Sequence, residues 1–156
     1  MSAIDTTDKE GLLPRIREIF SNIPFNQVLG LEIRKLDYEQ PQVAFYMRDE
    51  LIGNYVRGTL HGGVISTVID VTGGLTAFLS LQRNATGDSV EEKLRQFELL
   101  GTIDLRVDFL RPGKGTEFVA TGHNLRTGRR IAVSRVEVAD ATGEMIAVGT
   151  GAYVIS

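Results

Sequence analysis

The sequence predicts an α+β fold, an antiparallel sheet with one face covered by a single long helix. Three observations carry this reading. The run 60–81 holds no Lys or Arg and reads as one apolar helix. Four strand patterns follow one another closely in the C-terminal third of the chain. The remaining helical signals are short, one near the N-terminus and one between the long helix and the strands. At 156 residues the chain is expected to form one domain over 1–156, with 1–23 as an N-terminal helical extension and 24–156 as the core.

The elements follow in order. In "TTDKEGLLPRIREIFSNI", Leu12, Leu13, Ile16, Ile19, Phe20 and Ile23 keep helical spacing, and Pro24 ends the helix. "LGLEIRKL" and "QVAFYMR" read as two strands around a polar turn at 37–41. "DELIGNYVRGT" reads as a loop into the long helix. The segment 89–100 forms a short helix, with Ser89 and Glu92 as a capping box. "TIDLRVDFLR" alternates, with Ile103, Leu105, Val107 and Phe109 on the apolar face, so Thr102 should point away from the core. "TEFVATGHNLR" and "RIAVSRVEVAD" pair through a hairpin at Thr127 and Gly128, and "EMIAVGTGAYVI" follows the turn "DATG".

Composition removes several functions. The absence of cysteine excludes disulfides, thiolate nucleophiles and cysteine metal sites. Two histidines, His61 and His123, argue against a histidine-rich metal centre, and a net charge of −3 argues against non-specific nucleic-acid binding. The polar, acidic start "MSAIDTTDKE" is not a signal peptide, so a cytoplasmic location is expected. The long apolar run could span a bilayer by length, but Asp70 at its middle would cost roughly 2.5–3.5 kcal/mol. Ser66, Thr67, Thr72 and Thr76 dilute it further, and the strands need a cover, so it reads as a core helix.

Chemistry concentrates in "GTLHGGVISTVIDVTGG", residues 58–74. Beyond the two glycines, Asp70 is its only ionisable residue. Gly62 and Gly63 stand where a helix N-terminus offers free N–H groups and partial positive charge. They suit either polarisation of a carbonyl or simply tight packing of the approach loop. Asp70 lies nine residues after His61, about 13 Å along the axis and on the opposite side of the helix. One chain cannot pair them, so a site using both needs a two-fold dimer with composite centres. Around Asp70 the i±3 and i±4 neighbours, Ser66, Thr67, Gly73 and Gly74, are all small. Either a second helix packs there or an extended ligand does. Asp70 itself reads as a general base or as a structural acid accepting a hydroxyl hydrogen bond.

These residues carry a resemblance. With "GTLHGG" at 58–63, Asp70, "TIDLRVDFLRPG" at 102–113 and the terminal hairpin pattern, the chain from about Pro24 onward resembles the hotdog-fold acyl-CoA thioesterases of the phenylacetate-pathway type. In these a curved antiparallel sheet wraps a central helix. The resemblance implies hydrolysis of an acyl-CoA to free acid and CoA at a site shared by two subunits. Asp70 acts there as base or nucleophile, and Gly62 with Gly63 polarises the thioester carbonyl. His61, just before the helix, can orient the glycine turn or contact the thioester end of the ligand, and its distance from Asp70 favours orientation over proton transfer. Many relatives place a carbonyl-contacting asparagine six positions before the histidine. Here that position is Tyr55, so Asn54 is either the shifted counterpart or a turn residue after Gly53. Thr102 matches a hydroxyl that helps place the attacking water. For the CoA phosphates, Arg111 and Lys114 in "RPGKG" and Arg126, Arg129 and Arg130 in "RTGRR" are the candidates, or else solvated turn charges. Asp104, Arg106 and Asp108 cover the sheet against solvent or form a tetramer contact. No metal or redox cofactor is implied, nor a nucleic-acid or membrane partner. The expected assembly is a homodimer as minimal unit, built into a homotetramer. The N-terminal helix and the insertion at 83–99 look like bacterial members acting on medium or long chains. Two other activities suit the same fold, dehydration of a 3-hydroxyacyl thioester and non-catalytic acyl-CoA binding.

Overall fold

A computed structural model describes residues 11–83, 85–86 and 88–156. Residues 6–10 of the expected N-terminal helix, the start of the chain and two positions of the insertion lie outside the described residues. The first helix, α1 (Leu12–Asn22), buries Leu12, Leu13, Ile16 and Phe20 along one stripe. Pro24 ends it as expected, but also begins a second helix, α2 (Pro24–Leu29), that the periodicity did not reveal. A proline suits the first helical position because its fixed φ is helical and the missing N–H has no intrahelical partner there. Gly30, with φ 67°, closes α2.

Two strands follow, β1 (Glu32–Lys35) and β2 (Gln42–Tyr46). The segment expected to be a loop is instead a single 3₁₀ turn, Asp49–Leu51, and a small hairpin of β3 (Ile52–Asn54) and β4 (Thr59–Leu60). The long helix α3 (Gly62–Gln82) comes next, then α4 (Val90–Glu98), whose Ser89–Glu92 capping box is formed. The chain ends with β5 (Gly101–Phe109), β6 (Glu117–Thr127), β7 (Ile131–Asp140) and β8 (Met145–Val154). The six longer strands make one antiparallel sheet in the order β1-β2-β6-β7-β8-β5, curved over α3.

Alternation in these strands sends Phe45, Phe118, Val136, Val138 and Ile146 to the inner face, where they enclose Val68 and Ile69 of α3. Phe45 and Phe118 stack with ring centroids 5.2 Å apart. The apolar length of α3 thus comes from burial within the fold: 67% of its most apolar stretch is buried.

Strand β5 departs from strict alternation. Thr102 pairs with Tyr153 and Asp104 with Ala152, so Ile103 is an extra residue without a partner, a β-bulge. The bulge shifts the phase. Thr102 faces inward with Tyr153, in step with Leu105 opposite Gly151 and Val107 opposite Gly149, while Ile103 turns out and is 56% exposed. The expectation that Thr102 points away from the core is therefore corrected. Bulges concentrate on sheet edges, and β5 is one.

Candidate active site

The start of α3 is held by the hairpin before it. The His61 N–H donates to the Leu51 carbonyl at 2.8 Å, and the Leu60 N–H to the Gly113 carbonyl at 3.0 Å. Gly53 crosses directly beneath His61; a Cβ there would stand 2.5 Å from the His61 Cα, so only glycine permits the crossing. Asn54 is engaged in the hairpin turn, its Oδ1 accepting from the Arg57 N–H at 3.2 Å. Its side chain serves the turn within this protomer.

His61 is the N-cap of α3, and its Nδ1 accepts from the Gly63 N–H at 2.8 Å. In a neutral ring that bond puts the proton on Nε2, at the exposed side. Backbone donors of the first turn are mostly taken: Val64 and Ile65 donate to the His61 carbonyl at 3.0 and 3.3 Å, and Gly63 to the ring. Among the described residues nothing accepts from the Gly62 N–H. The two glycines expected to act together are therefore unequal. A recess of ≈ 330 Å³ opens here, lined by Gly62, Ile65, Phe109 and Arg111 among others.

The small residues around Asp70 have separate reasons. Ser66 and Thr67 turn their hydroxyls back onto the Gly62 and Gly63 carbonyls, each at 2.8 Å. Gly73 makes room for Tyr153 of β8; a Cβ on Gly73 would lie 2.1 Å from the phenol oxygen. At Gly74 a Cβ would find only ordinary contacts, the nearest at 3.6 Å, and this residue lines a cavity. The sequence left a second helix and an extended ligand as alternatives; for Gly73 the neighbour is an aromatic ring.

Asp70 is half-buried at the edge of that cavity, which measures ≈ 210 Å³. Its Oδ1 accepts the Thr102 hydroxyl at 2.9 Å. The Tyr153 hydroxyl donates to the Asp70 main-chain carbonyl at 3.1 Å, fastening the middle of α3 to the sheet. Burial, and then the adjacent Asp70 charge, hold this phenol well above the ordinary tyrosine range, so it keeps the proton that it donates to the Asp70 carbonyl. Tyr153 was missed in the sequence. The pattern Gly149, Gly151, Tyr153 at period two was the available signal, since two missing side chains on an inward face leave space for something large.

The rest of the cavity is apolar and comes from the parts outside the sheet. Ile16 and Phe20 of α1, Phe25 of α2, Phe97 of α4 and the following Leu100 line it, opposite Val71 and Leu75 of α3. Asn26 contributes to the wall while its Nδ2 donates to the Phe20 carbonyl at 3.0 Å, tying α2 to α1. The arrangement is a carboxylate pinned by a hydroxyl at the edge of a greasy slot. Such a carboxylate can accept a proton next to whatever the slot holds, and among the described residues no group of three His, Cys, Asp or Glu could hold a metal.

The five basic residues do not form one patch within a protomer. Arg111 is committed to Glu144 at 2.9 Å and to the Met145 carbonyl at 3.1 Å. With Lys114 it lies before β6, whereas Arg126, Arg129 and Arg130 cluster at the far end, where Thr127 bonds Ser80 near the end of α3. Eleven strand residues separate the two ends, roughly 30 Å at about 3.3 Å per residue.

Comparison with known proteins agrees with the fold. The profile of the thioesterase superfamily matches residues 57–147. The medium/long-chain acyl-CoA thioesterase YigI of Escherichia coli is 38% identical over 156 residues, covering 99% of each chain. Human acyl-coenzyme A thioesterase 13 is 32% identical over 127 residues, 80% of each. A crystal structure of a Shewanella oneidensis protein related to the thioesterase superfamily superposes with a TM-score of 0.90 at 45% identity, over 93% of this chain and 95% of that one.

Proposed function

The chain belongs to the thioesterase superfamily, and we propose that it hydrolyses medium- or long-chain acyl-CoA thioesters to the free acid and CoA in the cytoplasm. The observation that supports this most is the hydroxyl-pinned carboxylate of Asp70 at the edge of an apolar cavity walled by α1, α2 and α4. The similarity to YigI over nearly the whole of both chains supports the chain-length class.

In this reading the acyl chain occupies the cavity and the thioester carbon stands beside Asp70. Thr102 holds one carboxylate oxygen, and the other takes a proton from water as the water oxygen bonds to the carbonyl carbon. The carbonyl electron pair moves onto oxygen and needs a donor. On collapse the C–S bond breaks and the thiolate takes the proton back. Direct attack by Asp70, through an acyl anhydride that water then opens, uses the same geometry.

Gly62 of the same helix is eight residues away, about 12 Å along the axis, so it cannot reach that oxygen. A second copy supplies the donor. The outer edge of β5 favours such pairing: among the described residues it is unpaired, and Ile103, Phe109 and Leu110 are exposed along it and just beyond. Two β5 edges meeting about a two-fold axis extend the sheet and lay the α3 helices side by side in opposite directions. The Gly62 N–H of one subunit then serves the Asp70 of the other, giving two sites per dimer. Of the basic residues, Arg126, Arg129 and Arg130 suit the CoA phosphates best, because Arg111 is already held by Glu144.

Thiol release across acyl-CoAs from short to long tests the assignment. Burial of two methylenes contributes about 1.6 kcal/mol, so kcat/KM should rise roughly 15-fold per two carbons until the cavity is filled. Absence of thiol release, or a flat profile with chain length, overturns the proposal.

A further inference from the structure

The wall of the Asp70 cavity carries one polar side chain that the proposed hydrolysis does not use. Thr102 and the Asp70 carboxylate hold each other, and the Tyr153 hydroxyl is taken by the Asp70 main-chain carbonyl. Those groups belong to α3 and the sheet. Asn26 belongs to α2, in the otherwise apolar part of the wall with Phe20, Ile23 and Phe25.

Asn26 is only 2% exposed. One end of its amide has a structural reason. The Phe20 carbonyl lies in the last turn of α1, and its ordinary helical donor would be the N–H of residue 24, which is proline and has none. The Asn26 Nδ2 donates to that carbonyl at 3.0 Å, where the Ile23 N–H reaches it only at 3.4 Å. A carbonyl can only accept, so this bond fixes which end of the amide is nitrogen.

The other end has no such reason. Among the described residues no N–H or O–H donates to the Asn26 Oδ1, and this oxygen is not among the sealed, unpartnered atoms of the core. A nearly buried acceptor without a donor is destabilising unless the cavity supplies one. A water would want roughly two to four polar partners, and the neighbouring wall residues Ile23 and Phe25 offer no polar side chain. A hydroxyl carried on an alkyl chain needs only the one, because the apolar walls hold the chain itself.

We propose that the Asn26 Oδ1 faces the cavity and reads a hydroxyl on the bound acyl chain, so that hydroxylated aliphatic acyl-CoAs are substrates and Asn26 is a specificity-determining residue. This rests on the thioesterase reading of the same cavity. With the thioester carbon beside Asp70, a hydroxyl farther along the chain donates to Oδ1. A hydroxyl that falls instead against phenylalanine or leucine loses its hydrogen bonds to water and gains none. The wall therefore sorts regioisomers, and Asn26 takes no part in breaking the C–S bond.

Thiol release from decanoyl-CoA and from hydroxydecanoyl-CoAs, with the hydroxyl moved carbon by carbon from the β-carbon toward the chain end, tests this. In the wild type one position, or two adjacent ones, should match or exceed decanoyl-CoA in kcat/KM, and the other interior positions should fall at least about tenfold below it. In Asn26→Leu the ratio of the favoured hydroxyacyl-CoA to decanoyl-CoA should drop about tenfold, to the level of the other positions. The ratio is taken within one preparation, so a smaller folded fraction cancels, and the wild-type scan is decisive by itself if Asn26→Leu does not fold. A preference owed to Asp70 or Thr102 would survive Asn26→Leu. That survival, or a wild type that treats every position alike, overturns the proposal. Decanoyl-CoA keeps the two readings apart: its hydrolysis without a favoured hydroxyl position defeats the Asn26 assignment alone, and no thiol release from any of the set defeats both.

Discussion

Thr102 donates its hydroxyl to Asp70 across 2.9 Å from a strand position whose simple alternation would aim it at solvent. The bulge at Ile103 makes the contact. Because that hydroxyl holds one oxygen of the proposed base, the two residues should fail together. Asp70→Asn is expected to lower kcat by about 10²–10⁴-fold, the usual contribution of a positioned acid or base. A hydrogen bond to a charged group contributes about 1.5–3 kcal/mol, so Thr102→Val should lower kcat by roughly 10–100-fold. Thr102→Ser should retain most activity. Thiol release under saturating substrate distinguishes the three.

The free donor at Gly62 can be removed without removing the helix. Position 62 is the first residue of α3, where proline is tolerated, and His61 before it is already extended at φ −67°, ψ 135°. Gly62→Pro should therefore fold, keep the far-UV circular dichroism of the wild type and lose about 10²–10³-fold in kcat, the scale of a lost oxyanion donor. Retained activity would remove Gly62 from the mechanism.

The paired glycines of α3 should respond oppositely. Gly73→Ala drives a methyl into the Tyr153 hydroxyl and should cost about 1–3 kcal/mol as overpacking. Gly74→Ala meets no close atom and should gain up to about 1 kcal/mol in helix propensity. It also narrows the cavity, so its chain-length optimum should shift downward. Urea denaturation and the acyl-CoA series read the two effects separately.

Tyr153 gives the alkaline stability curve a recognisable slope. In the unfolded chain its hydroxyl ionises near the ordinary value of about 10, while in the folded protein burial and Asp70 keep it protonated further up. Above about pH 10 the unfolded state then binds fewer protons than the folded one, so stability falls as pH rises. The contribution is complete below that pH and is lost progressively toward the folded value. Urea melts at about pH 8 and about pH 11 should show a larger loss for wild type than for Tyr153→Phe.

Local pattern made much of this fold legible. The strands β6, β7 and β8 announce themselves by alternation, and Ser89 with Glu92 marks the start of α4 within one turn of helix. What stayed hidden depends on contacts distant in sequence or on a single inserted residue. Ile103 reverses the phase of Thr102, and no local propensity marks it as a bulge. Tyr153 reaches the Asp70 carbonyl across 83 residues of chain, so glycine at 73 could be noticed from sequence but not explained. Two basic clusters that look near each other on the page are held apart by the length of β6, eleven residues of strand. Pro24 read as a stop is equally a start, since its ring suits either role.

The cavity walls have two origins. Asp70 and Thr102 stand on the central helix and the sheet, and Tyr153 with Gly73 locks these to each other. Most of the greasy lining comes from α1, α2 and the α4 segment, peripheral pieces joined to the rest by side-chain packing and by a few hydrogen bonds, Arg17 to the Ile33 carbonyl and Gln82 to Gln96 among them. In the proposed mechanism most of the acyl-lining surface and the reacting groups therefore come from different stretches of the gene. Drift in the outer helices can redirect such a protein to longer, shorter or bulkier acids over evolutionary time while the hydrolytic apparatus is inherited intact.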